Sequence, residues 1–269
     1  MSPPRPAPYL DSEERARFDA WLAAGLERHS PPLTFSELRK GVQALSGLYV
    51  ERRRSGRLAQ RALQGAGKRA AFATYFAALH LLTALHVTRA LGGERWEKRE
   101  TILDLGCGTG AAGAGLALAL ASGARSGRPP RLVGVDRSGW ALGEARHTYR
   151  ALGLDGRALR DSLPRALARV RRDHLVVLGW TANELDVDVR DALLGRLEAH
   201  LDDGGGLLLL EPVASGVVPW WPEWTARLAG AGAREGEFKL AVELTGWLRD
   251  MDRASGLDHR VLSARWQCA

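Results

Sequence analysis

Apolar residues in the first third of the chain recur at three- and four-residue steps, which is the spacing of amphipathic helices. The predicted helices are Ser12 to His29, Thr34 to Arg53 and about Ala70 to Leu91. Thr34 is the expected N-cap of the second helix, with Glu37 three residues later as in a capping box. The third stops at Gly92-Gly93, a C-terminal helix signal. We therefore predict an all-helical N-terminal domain over residues 1–99.

From Glu100 onward, short apolar runs alternate with helical segments, a pattern typical of a parallel sheet with helices on its faces. The predicted strands are Thr101 to Leu105, Arg131 to Asp136, Arg157 to Arg160, His174 to Leu178 and Gly206 to Glu211. Phe238 to Val242 and His259 to Gln267, around a helix near Leu244 to Ala254, could add a terminal antiparallel pair. We therefore predict an α/β fold with a doubly wound, mostly parallel, seven-stranded sheet over residues 100–269.

Composition indicates a globular chain, with 45% hydrophobic and 26% charged residues among 269. There is no run of 18 apolar residues, and the start lacks the apolar stretch of a signal peptide, so we expect a cytoplasmic protein without membrane attachment. Cys107 and Cys268 are the only cysteines, too few for a disulfide framework or a four-cysteine metal cluster. We expect no metal ligands and leave the oligomeric state open.

The net charge of +7 lies entirely in the first third of the chain. Residues 1–99 hold 17 Lys and Arg against 9 Asp and Glu, whereas residues 100–269 hold 21 against 22. The densest basic run, residues 52–69, contains Arg52, Arg53, Arg54, Arg57, Arg61, Lys68 and Arg69. Such a surface suits an anionic partner such as RNA, although a solvated, arginine-rich helical surface explains it as well.

The first predicted strand runs directly into a glycine-rich turn, and an Ala- and Leu-rich helix follows. Glycines let the backbone turn tightly and approach a ligand, and the amides at the helix start offer donors. The spacing is Gly-x-Gly-x-Gly, which matches a pyrophosphate cradle less well than Gly-x-Gly-x-x-Gly. We predict a nucleotide-like ligand here, against the alternative of a turn without a ligand. The candidate binding residues are Asp104, Gly106, Cys107, Gly108 and Gly110.

The second predicted strand ends in Asp136, followed by Arg137. An acid at this position could accept hydrogen bonds from both ribose hydroxyls of a bound nucleoside, as in many doubly wound folds. We include Asp136 and Arg137 among the predicted cofactor-binding residues.

The turn from Asp104 to Gly110 resembles the first motif of class I methyltransferases. The resemblance implies a Rossmann-like fold and S-adenosylmethionine as cofactor, with Asp104 near its amino acid moiety. The family often places a polar contact to adenine after the third strand, which would be Asp161 here. A helix N-cap explains Asp161 equally well.

The fourth predicted strand opens into Gly179 to Leu185 at the carboxyl edge, where open sheets bind ligands. Trp180 is a candidate for cofactor binding, whereas Asn183 and Glu184 are candidates for catalysis. Methyl transfer depends mainly on alignment, with a base only if the acceptor must lose a proton. Asn183 could orient an acceptor amine and Glu184 could take a proton. Alternatively, Asn183 caps the following helix and Glu184 lies in its first turn.

Three tryptophans, Trp220, Trp221 and Trp224, follow the fifth predicted strand closely. They could stack on a nucleobase or pack the loop onto the sheet. His80, His86 and His259 lack metal-ligand partners at persuasive spacing, so we interpret them as structural.

Four features together resemble the methyltransferase-like family associated with the small ribosomal subunit. They are the basic helical segment at 38–53, the helix before the first strand, Asn183-Glu184-Leu185 and Glu211-Pro212. The resemblance implies methylation of RNA, ribosomal RNA foremost, with RNA or the small subunit as partner. Family members carry extra cysteines that hold a metal cluster, and this chain lacks them. A small-molecule or protein methyltransferase and a non-catalytic, cofactor-binding assembly factor remain alternatives.

Overall fold

The structure is a computed structural model that describes residues 10–29, 33–55, 63–123 and 129–269. Within these residues, seven strands form one sheet in the order β3-β2-β1-β4-β5-β7-β6. The strands are β1 (Thr101–Leu105), β2 (Arg131–Asp136), β3 (Gly156–Arg160), β4 (His174–Gly179), β5 (Gly206–Glu211), β6 (Arg234–Ala241) and β7 (Val261–Cys268). Strands β1 to β5 pair in parallel, and β7 runs antiparallel to β5. This confirms the predicted fold class.

The strand order reverses at β1, which pairs with β2 on one side and with β4 on the other. Asp104 stands opposite Gly134 of β2 and Val177 of β4. In open α/β sheets such a reversal leaves a crevice at the carboxyl ends of the strands. The predicted glycine-rich turn follows β1 at this crevice.

Helices connect and precede the strands. They are α1 (Ser12–His29), α2 (Phe35–Ser55), α3 (Ala66–Leu91), α4 (Ala111–Gly123), α5 (Gly139–Ala151), α6 (Leu163–Ala166), α7 (Val187–Asp202), α8 (Trp221–Gly230) and α9 (Gly246–Ala254). Helix α3 contains one π-helical turn, Phe72–Phe76. Short 3-10 turns include Ala182–Glu184 between β4 and α7.

The chain divides into two compact units. The first comprises Met1–Leu79 and Lys239–Leu262, and the second comprises His80–Phe238 and Ser263–Ala269. The division falls inside α3, whereas the sequence suggested a boundary at residue 99. The second half of α3 packs closely on α4, because a Cβ at Gly115 would lie 2.4 Å from the Leu81 carbonyl oxygen.

In the first unit, the predicted capping box of α2 is present. The Thr34 amide donates to Glu37 Oε2 at 2.8 Å, and the Glu37 amide donates to Thr34 Oγ1 at 3.3 Å. Helices α2 and α3 approach closely, since a Cβ at Gly41 would lie 2.2 Å from the Gly67 carbonyl oxygen. Close helix packing therefore depends on small residues here.

Helix α3 is long and apolar enough to cross a membrane by length and composition alone. However, 83% of its most apolar 18-residue window is buried inside the protein, as in the core helix of a globular domain. Burial therefore explains its apolar composition.

The tryptophans after β5 pack into the core of the second unit. Trp220, Trp221 and Trp224 are 7%, 4% and 1% exposed, and the rings of Trp220 and Trp224 meet edge to face at 4.7 Å. The Trp221 indole N–H donates to Glu235 at 2.7 Å. Buried rings cannot stack on a splayed base, so the structure favours packing over the nucleobase-stacking interpretation.

Two predicted boundaries are wrong by four residues. Helix α3 begins at Ala66 rather than Ala70, and β6 begins at Arg234 rather than Phe238. The first residues of β6 are mostly polar and solvent-facing because β6 is the edge strand of the sheet. An edge strand lacks the apolar run on which the sequence prediction relied.

Candidate functional site

The glycine-rich turn after β1 has a backbone that needs glycine. Gly106, Gly108 and Gly110 have φ angles of +73°, +52° and +76°, in the region that side chains other than glycine rarely enter. The amides of Gly106 and Cys107 donate to the Val135 carbonyl oxygen at 2.8 and 3.0 Å. These bonds fix the turn against the end of β2.

Thr181, just after β4, packs against the same turn. Its hydroxyl donates to the Gly106 carbonyl oxygen at 3.1 Å, and a Cβ at Gly106 would lie 2.3 Å from Thr181 Cγ2. A side chain at Gly106 would therefore displace the segment after β4, so the turn and that segment form one site.

Asp136 holds the turn from the end of β2. Its Oδ2 accepts from the Gly108 amide at 3.0 Å, and its Oδ1 accepts from the Ser138 amide at 2.7 Å. The side chain is half-buried. A carboxylate can accept up to about four hydrogen bonds, so Asp136 retains acceptor capacity for a ligand.

Asp104 is fully buried beneath the turn. Its Oδ2 accepts from the Gly113 amide in the first turn of α4 at 3.1 Å, whereas Oδ1 has no hydrogen-bond partner. Burial raises the pKa of Asp104 to about 7, the Gly113 hydrogen bond opposes this rise, and the charge of Asp136 adds to it. Asp104 is therefore an acid that changes protonation near neutral pH.

Cys107 lies inside the turn and faces Tyr149 of α5. Three glycines make room for the Tyr149 side chain, because a Cβ at Gly110, Gly134 or Gly156 would lie within 2.6 Å of one of its atoms. Burial raises the pKa of the Cys107 thiol and that of the Tyr149 hydroxyl. The Cys107 side chain therefore supports the turn from below as a neutral thiol.

Asp161 follows β3, and its amide donates to the Asp136 carbonyl oxygen at 3.1 Å. Arg169 donates to Asp161 Oδ2 through Nε at 3.1 Å and through a terminal nitrogen at 2.9 Å, which lowers the pKa of Asp161. Helix α6 takes Ser162 as its N-cap, so the N-cap alternative for Asp161 is wrong. Arg137 is exposed beside Asp136.

Trp180 has a φ of +55°, the only positive φ of a non-glycine residue in the described part of the chain. Its amide donates to the Leu210 carbonyl oxygen at 2.7 Å, and its ring stacks on His80 at 4.0 Å and 13°. Burial lowers the pKa of His80 to about 4, so this imidazole is neutral at pH 7. His80 therefore packs against a residue with a strained backbone. A bulky residue adopts such a conformation only when its surroundings enforce it.

Asn183 and Glu184 lie in the 3-10 turn Ala182–Glu184, before α7. Helix α7 takes Asp186 as its N-cap and begins at Val187. The alternative in which Asn183 caps this helix and Glu184 lies in its first turn is therefore wrong. Glu184 is exposed.

Glu211, at the end of β5, joins the site although the sequence analysis gave it no role. It is fully buried and accepts from the Asn183 amide at 3.0 Å and from Asn183 Nδ2. Burial raises the pKa of Glu211 to about 8, against the lowering effect of the Asn183 hydrogen bonds. The sequence contained a signal for this role. Adjacent parallel strands end at the same edge of a sheet, Glu211 ends β5, and Asn183 follows the neighbouring strand β4.

The basic run at 52–69 lies largely outside the described residues. This holds for Arg57 and Arg61 and for the side chains of Arg52, Arg53 and Arg54. Arg69 donates to the Leu63 carbonyl oxygen at 3.1 Å. Among the residues described, no group of three or more His, Cys, Asp and Glu side chains is placed to hold a metal ion.

The residues around the turn fit S-adenosylmethionine. Asp104 and Asp136 make the end of β1 and β2 acidic, which suits a ligand with an ammonium and a sulfonium group. Buried acceptors without partners are rare, so Asp104 Oδ1 points to a donor that completes the site. The partly exposed Asp136 carboxylate can accept from ribose hydroxyls.

No protein-family model and no curated protein matches the sequence. Solved structures do match. An O-methyltransferase family protein from Burkholderia thailandensis has a TM-score of 0.55 at 17% identity, covering 87% of this chain and 72% of that chain. A TehB-like SAM-dependent methyltransferase from Corynebacterium glutamicum has a TM-score of 0.43 at 15% identity, covering 70% and 86%. A putative RNA methyltransferase from Pyrococcus horikoshii has a TM-score of 0.44 at 12% identity, covering 76% and 85%.

At these identities the likeness concerns the fold. The seven-stranded sheet, with its order reversing at β1 and its antiparallel β7, is the fold of class I S-adenosylmethionine-dependent methyltransferases. The predicted resemblance to this class is thereby confirmed at the level of fold.

Proposed function

We propose that this chain is an S-adenosylmethionine-dependent methyltransferase that acts on RNA, ribosomal RNA foremost. The observation that carries the cofactor assignment is the bond from the Gly108 amide to Asp136, 3.0 Å long, at the reversal of strand order. It places a partly exposed acid and a glycine turn together at the crevice where doubly wound sheets bind nucleotides.

These positions support the proposed cofactor-binding roles. Asp136 would accept from the ribose hydroxyls, while the turn at Gly106 to Gly110 offers close backbone approach. Asp161 and Arg137, which lie beside Asp136, would contact the adenine, and Trp180 would close the site after β4. When bound, S-adenosylmethionine supplies a methyl group on a positively charged sulfur, which an acceptor lone pair displaces while the sulfur keeps the bonding electrons.

The chain itself contributes acceptor alignment and a proton acceptor. Asn183 is held by Glu211 after β4 and orients the acceptor, since methyl transfer gains chiefly from in-line positioning. Glu184, exposed in the same turn, takes the proton of an acceptor that must lose one and exchanges it with water.

The uneven charge of the chain supports RNA as the acceptor molecule. Residues 1–99 carry a net charge of +8, and residues 100–269 carry −1. Basic residues in the N-terminal part can bind RNA phosphates. The acids of the candidate cofactor site attract the cationic groups of the cofactor. The sequence resemblance to the family of the small ribosomal subunit favours ribosomal RNA.

Calorimetry with S-adenosylmethionine tests the cofactor assignment. We expect Asp136→Ala to abolish measurable binding, because the variant loses both a ligand acceptor and the bond to Gly108. Asp155→Ala is the matched control, since Asp155 pairs with Arg131 on the surface before β3 and should bind as wild type does. If Asp136→Ala binds S-adenosylmethionine with the affinity of the wild type, the assignment is contradicted.

Transfer of labelled methyl groups to fractionated cell RNA, protein and metabolites tests the acceptor. Label in RNA supports the proposal, whereas label in protein or metabolites assigns the enzyme to the alternative acceptors. Cofactor binding without transfer to any fraction would indicate a non-catalytic, cofactor-binding assembly factor.

A further inference from the structure

The neighbouring tryptophans Trp220 and Trp221 each have an arginine over the ring. Arg190 of α7 lies over Trp220, with its guanidinium carbon 5.5 Å from the ring centre. Arg265 of β7 lies over Trp221 at 6.0 Å. A guanidinium over an indole face is a favourable contact, but the N–H groups of both partners still need acceptors. The two pairs differ in whether the protein supplies those acceptors.

Strand β6 supplies two carboxylates to the pair formed by Trp221 and Arg265. The Trp221 indole N–H donates to Glu235 at 2.7 Å, and a terminal nitrogen of Arg265 lies 3.6 Å from Glu237. Arg265 Nε is buried without a hydrogen-bond partner, but the Glu237 carboxylate balances the charge of the side chain. The protein itself therefore provides the counter-charge for this pair.

The pair formed by Trp220 and Arg190 lacks such acceptors. Trp220 is 7% exposed, and its indole nitrogen has no hydrogen-bond partner. Arg190 Nε is also buried and without a partner, and a terminal nitrogen makes one long hydrogen bond, 3.4 Å, to the Leu185 carbonyl oxygen. Among the residues that the structure describes, no acid forms an ion pair with Arg190. Buried donors without acceptors are rare and costly, so these two donors indicate an acceptor that comes from outside the chain.

An oxyanion fits the missing acceptor better than a water molecule does. Water could accept from Trp220, but it would leave the Arg190 guanidinium without a counter-charge. The acids next to Arg190 in α7, Asp188 and Asp191, are exposed and make no ion pair with it within the described ranges. A phosphate group offers several acceptor oxygens together with negative charge, and charge-assisted hydrogen bonds are about twice as strong as neutral ones.

The position of this pair on the sheet indicates which ligand carries the anion. Leu185, which Arg190 contacts, belongs to the segment after β4, and Trp220 belongs to the segment after β5. These segments follow the carboxyl ends of two adjacent parallel strands. The glycine-rich turn and Asp136 lie at β1 and β2 instead, and S-adenosylmethionine has no phosphate group. The anion is therefore assigned to the acceptor molecule and not to the cofactor.

We propose that Arg190 and Trp220 form an oxyanion site, and that its ligand is a backbone phosphate of the acceptor RNA. The inference rests on the proposed function, since it takes RNA to be the acceptor. Arg190 Nε and the Trp220 indole N–H each donate to a phosphate oxygen, and the guanidinium balances the phosphate charge. Phosphate contacts position a nucleic acid without reading its sequence, so this site would set the register of the RNA strand on the sheet.

The indole N–H resonance of Trp220 reports directly on the site. The full protein is labelled with ¹⁵N in its tryptophans, and the Trp220 signal is the one missing from Trp220→Phe. Triple-resonance assignment of the wild type identifies the same signal if that variant folds poorly. Inorganic phosphate and a short single-stranded RNA are then titrated separately. We expect both to shift the Trp220 signal, whereas the Trp221 signal should move much less because Glu235 already accepts from it.

Three variants separate the charge of Arg190 from its Nε donor. Arg190→Gln should abolish the shift with phosphate and weaken RNA binding about 10- to 100-fold, because charged hydrogen bonds are lost. Its slope of log affinity against log salt should be shallower by about 0.7, as expected for one lost phosphate contact. Arg190→Lys keeps the charge without the Nε donor and should restore part of the affinity. Arg227→Gln is the matched control and should bind as the wild type does, since Arg227 also bridges α8 and α7 but has Glu198 as its partner.

The remaining outcomes decide between the ligands. No Trp220 shift with phosphate or RNA would overturn the site. A shift with inorganic phosphate alone, or an equal shift with an RNA whose methylphosphonate linkages carry no charge, would overturn RNA phosphate as the ligand. Reduced S-adenosylmethionine affinity in Arg190→Gln would assign the anion to the cofactor's carboxylate and contradict the proposal.

The proposed function and the oxyanion site fail in different experiments. If the wild-type protein does not bind S-adenosylmethionine or transfers no methyl group to RNA, the proposed function fails, while the Trp220 titration still decides whether the phosphate site exists. If methyl transfer to RNA is observed and the Trp220 signal does not respond, only the oxyanion site fails.

Discussion

Two acids, Asp104 near the end of β1 and Asp136 at the end of β2, give the candidate cofactor site its acidic character. Burial raises the pKa of Asp104 to about 7, and the charge of Asp136 contributes to the rise. At pH 7 about half of the Asp104 carboxyls therefore carry a proton. A cationic ligand nearby would favour the ionised form and lower that pKa.

We therefore predict that S-adenosylmethionine binding releases up to about half a proton per site at pH 7, and that affinity rises with pH through 7. Calorimetry in phosphate and in Tris, which differ in ionisation enthalpy, measures the released proton. Asp104→Asn is the matched variant and should bind without this release, because an amide does not titrate. Equal heats in both buffers for the wild type would contradict the prediction.

The sequence was sufficient to identify site residues that lie in a recognisable local motif. It was not sufficient to identify site residues whose contacts are with distant parts of the chain. Asp136 ends an apolar run, so the strand pattern placed it at the edge of the sheet, whereas Asp104 lies within β1 and was identified through the resemblance to the first motif of class I methyltransferases. His80 stacks on Trp180, which is 100 positions away, and no local pattern connects them. The roles of all these residues in binding stay predictions until the cofactor experiment.

The π-helical turn of α3 belongs to a hydrogen-bonded cluster in the first unit. The Tyr75 hydroxyl in this turn donates to Asp252 of α9. His259 contacts the same carboxylate through Nδ1 at 2.6 Å and through its backbone amide at 3.1 Å. Asp252 is buried. Burial of the Tyr75 hydroxyl raises its pKa, and the hydrogen bond to Asp252 adds to the rise. The sequence analysis took His259 to be structural, and the cluster gives it such a role.

We predict that Tyr75→Phe destabilises the protein by about 1 to 3 kcal/mol, because the buried Asp252 carboxylate loses a donor. Tyr149→Phe is the matched control. The Tyr149 hydroxyl is also buried, but its polar neighbour is the weakly bonding Cys107 thiol and not a carboxylate. Tyr149→Phe should therefore leave stability unchanged or raise it. Denaturant unfolding of both variants measures the difference, and equal losses would contradict the assigned role of the cluster.

Strand prediction succeeded where burial was complete. All six residues of β5 are buried, and its predicted bounds, Gly206 to Glu211, agree with the structure. The polar edge strand β6 was placed four residues late because five of its eight residues are exposed to solvent. Periodicity in a sequence reports burial, so an element at the sheet edge gives the weakest signal.

At the scale of the whole molecule, the sequence predicted the α/β part but not how the compact units use the chain. The first unit takes Lys239–Leu262 from near the C-terminus, and the boundary in the N-terminal part falls within α3. A continuous helix offers no break in pattern at Leu79. Links such as Gln43 to the Ser255 carbonyl oxygen, 212 positions apart, arise only from tertiary packing.

The uneven charge makes a prediction about the whole chain. All of the excess positive charge lies in residues 1–99, which carry 17 Lys and Arg against 9 Asp and Glu. If the run at 52–69 neutralises about five phosphates of single-stranded RNA, the slope of log affinity against log salt is about −3.5. Raising salt from 50 to 200 mM should then weaken RNA binding by about 100-fold.

Fluorescence anisotropy with a labelled RNA over this salt range measures the slope for the full chain and two charge variants. The first variant replaces four basic residues of the run with glutamine: Arg52, Arg53, Arg54 and Arg57. The control replaces four exposed arginines of the second unit: Arg150, Arg157, Arg171 and Arg172. Each lost phosphate contact makes the slope shallower by about 0.7, so the first variant should flatten it and the control should not. Equal slopes for the wild type and the first variant would show that the basic run does not contact RNA. The run would then be a solvated, arginine-rich surface.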